Sequence, residues 1–126
     1  MKKCIVCENA PKAVGTYSQG IEINGTFYFS GMLGFIPETM ELPSDFETQL
    51  QQIMFNIDAI ITSQNLTKKN IIKTTIFMTD LKMFPKVNQT YQDFFGELEY
   101  FPARSCIEVS ALPKDALIEI EVIASS

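Results

Sequence analysis

Histidine is absent from all 126 residues. Mechanisms that use imidazole near neutral pH as general base, nucleophile activator or metal ligand are therefore excluded, and serine-histidine and cysteine-histidine hydrolases go with them. Arginine is almost absent too, because Arg104 is the single arginine among the 10 basic residues. It is the only guanidinium fork available to grip a carboxylate or phosphate in two parallel hydrogen bonds. Positive charge as a whole is scarce, 10 Lys and Arg against 15 Asp and Glu, for a net charge of -5. That is the wrong sign for a surface that collects phosphates, and it disfavours nucleic acid as a partner. Cysteine is limited to Cys4, Cys7 and Cys106, too few for a disulfide scaffold and odd in number. No stretch approaches the roughly 20 apolar residues of a membrane span, and the apolar run after Lys2-Lys3 is cut short by Glu8. Neither a membrane segment nor a signal peptide is expected, and the cytoplasm is the expected location.

Hydrophobic residues make up 46% of the chain and charged residues 20%, which is enough apolar surface for one core. A single domain over residues 1–126 is expected. Cys4-x-x-Cys7 has redox spacing, but no strand precedes it and the chain lacks the four ligands of a structural zinc site. The two thiols read as small hydrophobes on an edge segment, and no metal is expected.

Two β-prone runs flank Asn24-Gly25 between Ile21 and Ser30, the pattern of an antiparallel hairpin whose turn residues tolerate positive φ. After Pro43, Ser44-Asp45-Phe46-Glu47 has the form of a capping box and predicts a helix start. Phe46, Leu50, Ile53, Met54, Ile57, Ile60 and Ile61 then form one stripe to about Ser63, with Gln49, Gln51, Gln52 and Asp58 mostly outside it and Asn65 as C-terminal cap. A buried strand is predicted over Ile71 to Thr79. A second helix is predicted from Pro85 and from Phe84, Val87, Tyr91, Phe94, Phe95 and Leu98 at helical spacing. Strands at Ala103 to Val109 and Leu117 to Ala124 close the chain.

Two helices with one apolar stripe each cover one face of a sheet of about five strands. Alternation sets Ile118, Ile120 and Val122 against Glu119 and Glu121, and Ile107 and Val109 against Arg104, Cys106 and Glu108. If the aliphatic sets face the helices, Arg104, Cys106 and Glu119 share the uncovered face. That face reads either as a solvated surface or as a site, and the apolar Phe101-Pro102-Ala103 beside Arg104 favours the second.

The stretch from Pro102-Ala103-Arg104-Ser105-Cys106 through Leu112-Pro113-Lys114-Asp115 to Glu119-Ile120-Glu121 resembles the C-terminal signature of the Rid family, the reactive intermediate deaminases, also called L-PSP endoribonucleases. The likeness extends to Asn9-Ala10-Pro11, Gly15 to Gly20, Phe29-Ser30-Gly31 and Val87 to Tyr91, so it covers essentially the whole chain. The resemblance implies an α+β fold, a chorismate-mutase-like two-layer sandwich in the order β-β-α-β-α-β-β, assembled as a homotrimer with clefts between subunits. It implies that Arg104 binds a substrate carboxylate and that Glu119 holds the hydrolytic water. Tyr17, Ser30, Gly31 and Cys106 match positions lining the pocket, and Asn88 matches a position near it. Thr16, Met32 and Gly34 depart from the residues common in the family, and Met32 is expected to alter the pocket wall.

The activity implied is hydrolysis of 2-imino acids such as 2-aminoacrylate or 2-iminobutanoate to 2-keto acids and ammonia. One arginine fixes the carboxylate, and one carboxylate orients water and takes its proton, so no cofactor is required. Two alternatives stand beside it. One is RNA cleavage of the L-PSP type, which the charge balance disfavours. The other is a non-catalytic trimer that binds small carboxylates through Arg104.

Overall fold

A computed structural model describes residues 1–126. The elements run β1 (Lys3–Ile5), β2 (Gly20–Ile23), β3 (Thr26–Phe29), α1 (Phe46–Ser63), β4 (Ile71–Met78), α2 (Phe84–Phe95), β5 (Ala103–Glu108) and β6 (Ile118–Ser125). They build one six-stranded sheet in the order β1-β2-β3-β6-β4-β5, antiparallel except for the β4–β5 pair. The sheet gains β1, a three-residue edge strand paired with β2, beyond the five strands that periodicity predicts. Three residues are too short to show a period. Cys4 lies exposed on that strand, Cys7 is buried in the core, and no cysteine is bonded to another.

The β2–β3 hairpin turns on Asn24 and Gly25 with φ of 50° and 81°, the two positive values of a type I′ turn. Helix α1 is capped by Asp45 rather than by Ser44: its carboxylate accepts the Thr48 N–H at 3.0 Å, one residue later than the predicted box. At the other end Asn65 has φ 60°, and the N–H groups of Asn65 and Leu66 donate to Thr62 and Ile61. This is the left-handed stop that satisfies orphan carbonyls, with Leu66 and Ile61 both buried in the core.

The core joins the α1 stripe to Ile76 of β4 and to Ile118, Ile120, Val122 and Ala124 of β6, all buried. Gln49, expected outside the stripe, is 2% exposed, because its amide donates to Pro43 O at 2.7 Å and accepts the Leu117 N–H at 2.9 Å. Asn56, equally buried, donates to the Phe35 carbonyl at 2.8 Å. These two amides tie the loop after β3 to the helix, and Gly34 allows the approach: a Cβ there would lie 2.6 Å from Gln49 O.

Both helices pack on one face, as their single stripes require. The register assigns the faces. Thr74, Ile76 and Met78 of β4 sit level with Val122, Ile120 and Ile118, on the covered side. Lys73, Thr75 and Phe77 sit level with Ile123, Glu121 and Glu119, on the bare side. On β5 the expected assignment is reversed. Arg104 and Cys106 are level with Thr74 and Ile76 on the covered side, and Ile107 is level with Phe77 on the bare side. The reason is that β5 is an edge strand whose covering partner, α2, presents polar and aromatic groups to it. The aliphatic Ile107 is left 45% exposed on the bare face, where Tyr28 is 49% exposed.

Candidate active site

Two separate clusters contain the residues singled out in the sequence. The first surrounds Glu119 on the bare face. Residues 30–32 continue from β3 past β6, where the Met32 N–H donates to Ile120 O at 2.8 Å and the Ile120 N–H donates back at 3.0 Å. The Ser30 hydroxyl donates to Ser18 O at 2.6 Å, and the Ser30 N–H donates to Gln19 O at 2.9 Å. Gly31 lies against Glu119: an added Cβ would sit 2.7 Å from Cδ of the carboxylate and closer still to its oxygen. Burial, reinforced by the neighbouring charge of Glu121, pushes the Glu119 pKa above the ordinary carboxylate value. A small depression behind this strand is lined by Tyr17, Ser30, Gly31 and Met32 among others. Met32 is buried and forms part of its wall. Tyr17 is half exposed, and its hydroxyl accepts the Val14 N–H at 3.3 Å.

Sequence reasoning missed Gln19, which holds the Tyr17 segment in place. Its amide accepts the Cys7 N–H at 2.7 Å and donates to Cys7 O at 2.9 Å and to Pro11 O at 2.8 Å. No periodicity marks a glutamine that bridges a loop.

The second cluster surrounds Arg104 on the covered side, at the edge of the sheet. Arg104 Nη1 donates to Asn88 Oδ1 at 2.8 Å. Its guanidinium carbon lies 4.8 Å from the Phe84 ring centroid and 5.4 Å from that of Tyr91. Tyr91 is buried, and its hydroxyl donates to Thr74 Oγ1 at 2.9 Å. Burial pushes its pKa up to about 12, so it stays a neutral phenol. Both ion pairs in the chain, Lys3 with Glu22 and Lys86 with Glu47, leave Arg104 out. Of its five N–H donors, only the one on Asn88 has a partner in the protein. An open recess of about 490 Å³ beside it is lined by Asn88, Tyr91, Gln92, Phe101, Pro102 and Arg104. Cys106 lies two residues on along the same face. Burial pushes its thiol up, against the opposing pull of Arg104, so the thiol form prevails.

The structure thus brings Arg104, Asn88 and Cys106 together, and separately sets Gly31 against Glu119, with Tyr17 and Ser30 beside Gly31 in the depression behind it. It does not bring the two sets onto one face. Nowhere do three His, Cys, Asp or Glu side chains converge in a cluster able to hold a metal ion. No helix is long and apolar enough to cross a membrane.

The family described as Endoribonuclease L-PSP matches residues 7–126. The 2-iminobutanoate/2-iminopropanoate deaminase of Escherichia coli K12 is 46% identical to this chain over 125 residues, 98% of each protein. The crystal structure of YyfA from Yersinia pestis, a protein of unknown function of the conserved Rid family, superposes with a TM-score of 0.96 at 48% identity, covering 100% of both chains. E. coli TdcF, crystallised with bound serine, superposes with a TM-score of 0.92 at 39% identity over 98% of each chain.

Proposed function

The chain belongs to the Endoribonuclease L-PSP family, which includes the Rid proteins, and from that premise we propose that it hydrolyses reactive 2-imino acids to 2-keto acids and ammonia in the cytoplasm. The observation that carries this reading is the state of Arg104. The only guanidinium in the chain is held by a neutral amide and two aromatic faces, with no carboxylate opposite it. A fork fixed on one side and unpaired on the other is suited to an external carboxylate.

In this reading Arg104 binds the substrate carboxylate, with Asn88 holding the fork and Cys106 behind it. Glu119 orients a water toward C2 of the imine. As the water oxygen bonds to C2, Glu119 takes a proton from it and passes that proton to the imine nitrogen, giving a carbinolamine. Glu119 then takes the hydroxyl proton and returns it to the amine as the C–N bond breaks, so that ammonia leaves, the C=O bond of the 2-keto acid forms and Glu119 is again ionised. The raised pKa of Glu119 suits this role, because a stronger base accepts the proton more readily near neutral pH. Gly31 leaves space for the carboxylate, and Ser30 and Tyr17 line the wall beside it.

A substrate carboxylate and its C2 are bonded neighbours, whereas Arg104 and Glu119 occupy opposite faces of the sheet with β4 between their strands. The reading therefore requires two copies of the chain at each site, one contributing Arg104 and the other Glu119. The bare face, with Tyr28, Ile107 and Phe77 among its side chains, is the surface through which three copies associate into a homotrimer. RNA cleavage is not favoured by a net charge of -5 with one arginine.

The test is ammonia release from freshly generated 2-iminobutanoate or 2-aminoacrylate, with and without the protein. Acceleration well above the spontaneous rate is expected. Binding of the 2-keto acid without acceleration would reduce the protein to a carboxylate binder.

A further inference from the structure

Phe84, Asn88 and Tyr91 fall at i, i+4 and i+7 on α2, so they form one stripe along the helix. In the sequence the two aromatics read as core residues, and Tyr91 is one: it is buried and bonded to Thr74. Phe84 is different. It is only half buried at the first turn of α2, packed on the rim of the core, and its ring is the aromatic face nearest the Arg104 guanidinium, 4.8 Å against 5.4 Å for Tyr91.

We propose that Phe84 is a positioning residue for carboxylate recognition, acting through Arg104. This deepens the proposed function and rests on it. An exposed arginine samples many rotamers, and ordering it on binding costs conformational entropy. Here the stack on Phe84 restrains the plane of the guanidinium, and the Asn88 hydrogen bond restrains rotation within that plane. With both restraints in place the fork is set before the substrate arrives. An aromatic face also attracts the cation without neutralising it, so the full charge stays available to an anionic ligand. A carboxylate in the place of Phe84 would hold Arg104 as firmly and compete with the substrate. The three contacts together explain how a largely exposed arginine is ordered without an ion pair.

The test uses the assembled protein and 2-oxobutanoate, the keto-acid product, as probe. Phe84→Leu keeps an apolar side chain of similar bulk and removes the face. Its affinity for 2-oxobutanoate, measured by calorimetry, should fall roughly three- to thirtyfold, the range of a cation–π contact. KM for the imino acid should rise in parallel, with kcat at saturation changing much less. Phe84→Tyr, which restores an aromatic face, should recover most of the affinity. Wild-type affinity in Phe84→Leu overturns the proposal, as does an equal loss in Phe84→Tyr. A loss of kcat and thermal stability together without a selective rise in KM also overturns it, since that is the mark of a packing role. Arg104→Ala separates the two levels: unchanged keto-acid binding there refutes the functional reading itself, whereas loss of binding there with none in Phe84→Leu refutes only the role of Phe84.

Discussion

Arg104 and Glu119 lie on opposite faces of one sheet. Arg104 is level with Thr74 under the helices, and Glu119 is level with Phe77 on the bare side, with β4 separating the strands that carry them. Two strand spacings of about 4.8 Å each, added to the thickness of the sheet, keep the two side chains from converging within one copy. A single copy therefore cannot bring both groups to one small substrate, which is why the proposed site needs two copies.

The two acids on the bare face of β6 should separate cleanly by mutation. Glu119→Gln keeps size and hydrogen bonding but removes the proton acceptor, so kcat should fall by about 10² to 10⁴ while 2-keto acid binding persists. Glu121→Gln should alter kcat far less. Steady-state ammonia release on both variants, with their assembly verified by light scattering, decides the assignment.

The pH profile should carry the mark of Glu121. Burial and the Glu121 charge both raise the Glu119 pKa above its ordinary value of 4.5. In the proposed mechanism Glu119 acts as a base and must be ionised, so kcat/KM corrected for spontaneous hydrolysis should fall as pH drops through that raised value. Glu121→Gln removes one of the two causes, and the acid limb should move to lower pH. A shift to higher pH, or none, contradicts this electrostatic picture.

Arg104→Lys should behave as a severe change, since lysine keeps the charge but not the planar fork that meets a carboxylate in two bonds. Losing one charge-assisted hydrogen bond should lower kcat/KM roughly ten- to hundredfold, from about 1.5 to 3 kcal/mol. An imino-acid titration of the assembled variant measures it.

Gly31→Ala should act through Glu119 alone. Its φ is not in the left-handed region, so the backbone tolerates alanine, but the added Cβ would displace the carboxylate. A displacement near 1 Å is enough for a loss on the order of 10² in kcat. The far-ultraviolet spectrum and thermal midpoint should stay close to wild type.

Much of this arrangement is legible in the sequence because it is local. The Asn24-Gly25 turn, the α1 stripe and the Asn65 stop each depend on neighbours within a few residues, and each is found as expected. The start of α1 falls one residue off because Ser44 and Asp45 are both competent caps, and only the carboxylate of Asp45 meets the Thr48 N–H. Asp45→Ala should therefore lower the urea midpoint, and Ser44→Ala should leave it nearly unchanged. The orientation of β5 is not legible by periodicity. Alternation says that Arg104 and Ile107 point oppositely, but which side faces the core depends on what α2 brings to an edge strand. The aliphatic side was expected to face the helices, yet Asn88, Phe84 and Tyr91 draw Arg104 there instead. The buried Gln49 and the bridging Gln19 escape for the same reason, since their partners are carbonyls and N–H groups distant in sequence or in loops.

The most direct test of the two-copy site is complementation. Arg104→Ala and Glu119→Gln should each be nearly inactive alone, because every site in either assembly lacks one partner. Produced together in equal amounts, the two chains should form mixed trimers in which some interfaces pair an intact Arg104 with an intact Glu119. Random mixing makes about a quarter of the interfaces complete, so activity should return to about a quarter of wild type. Verified mixed trimers with no more activity than the parents would show that Arg104 and Glu119 do not act on one substrate across an interface, and would contradict the account.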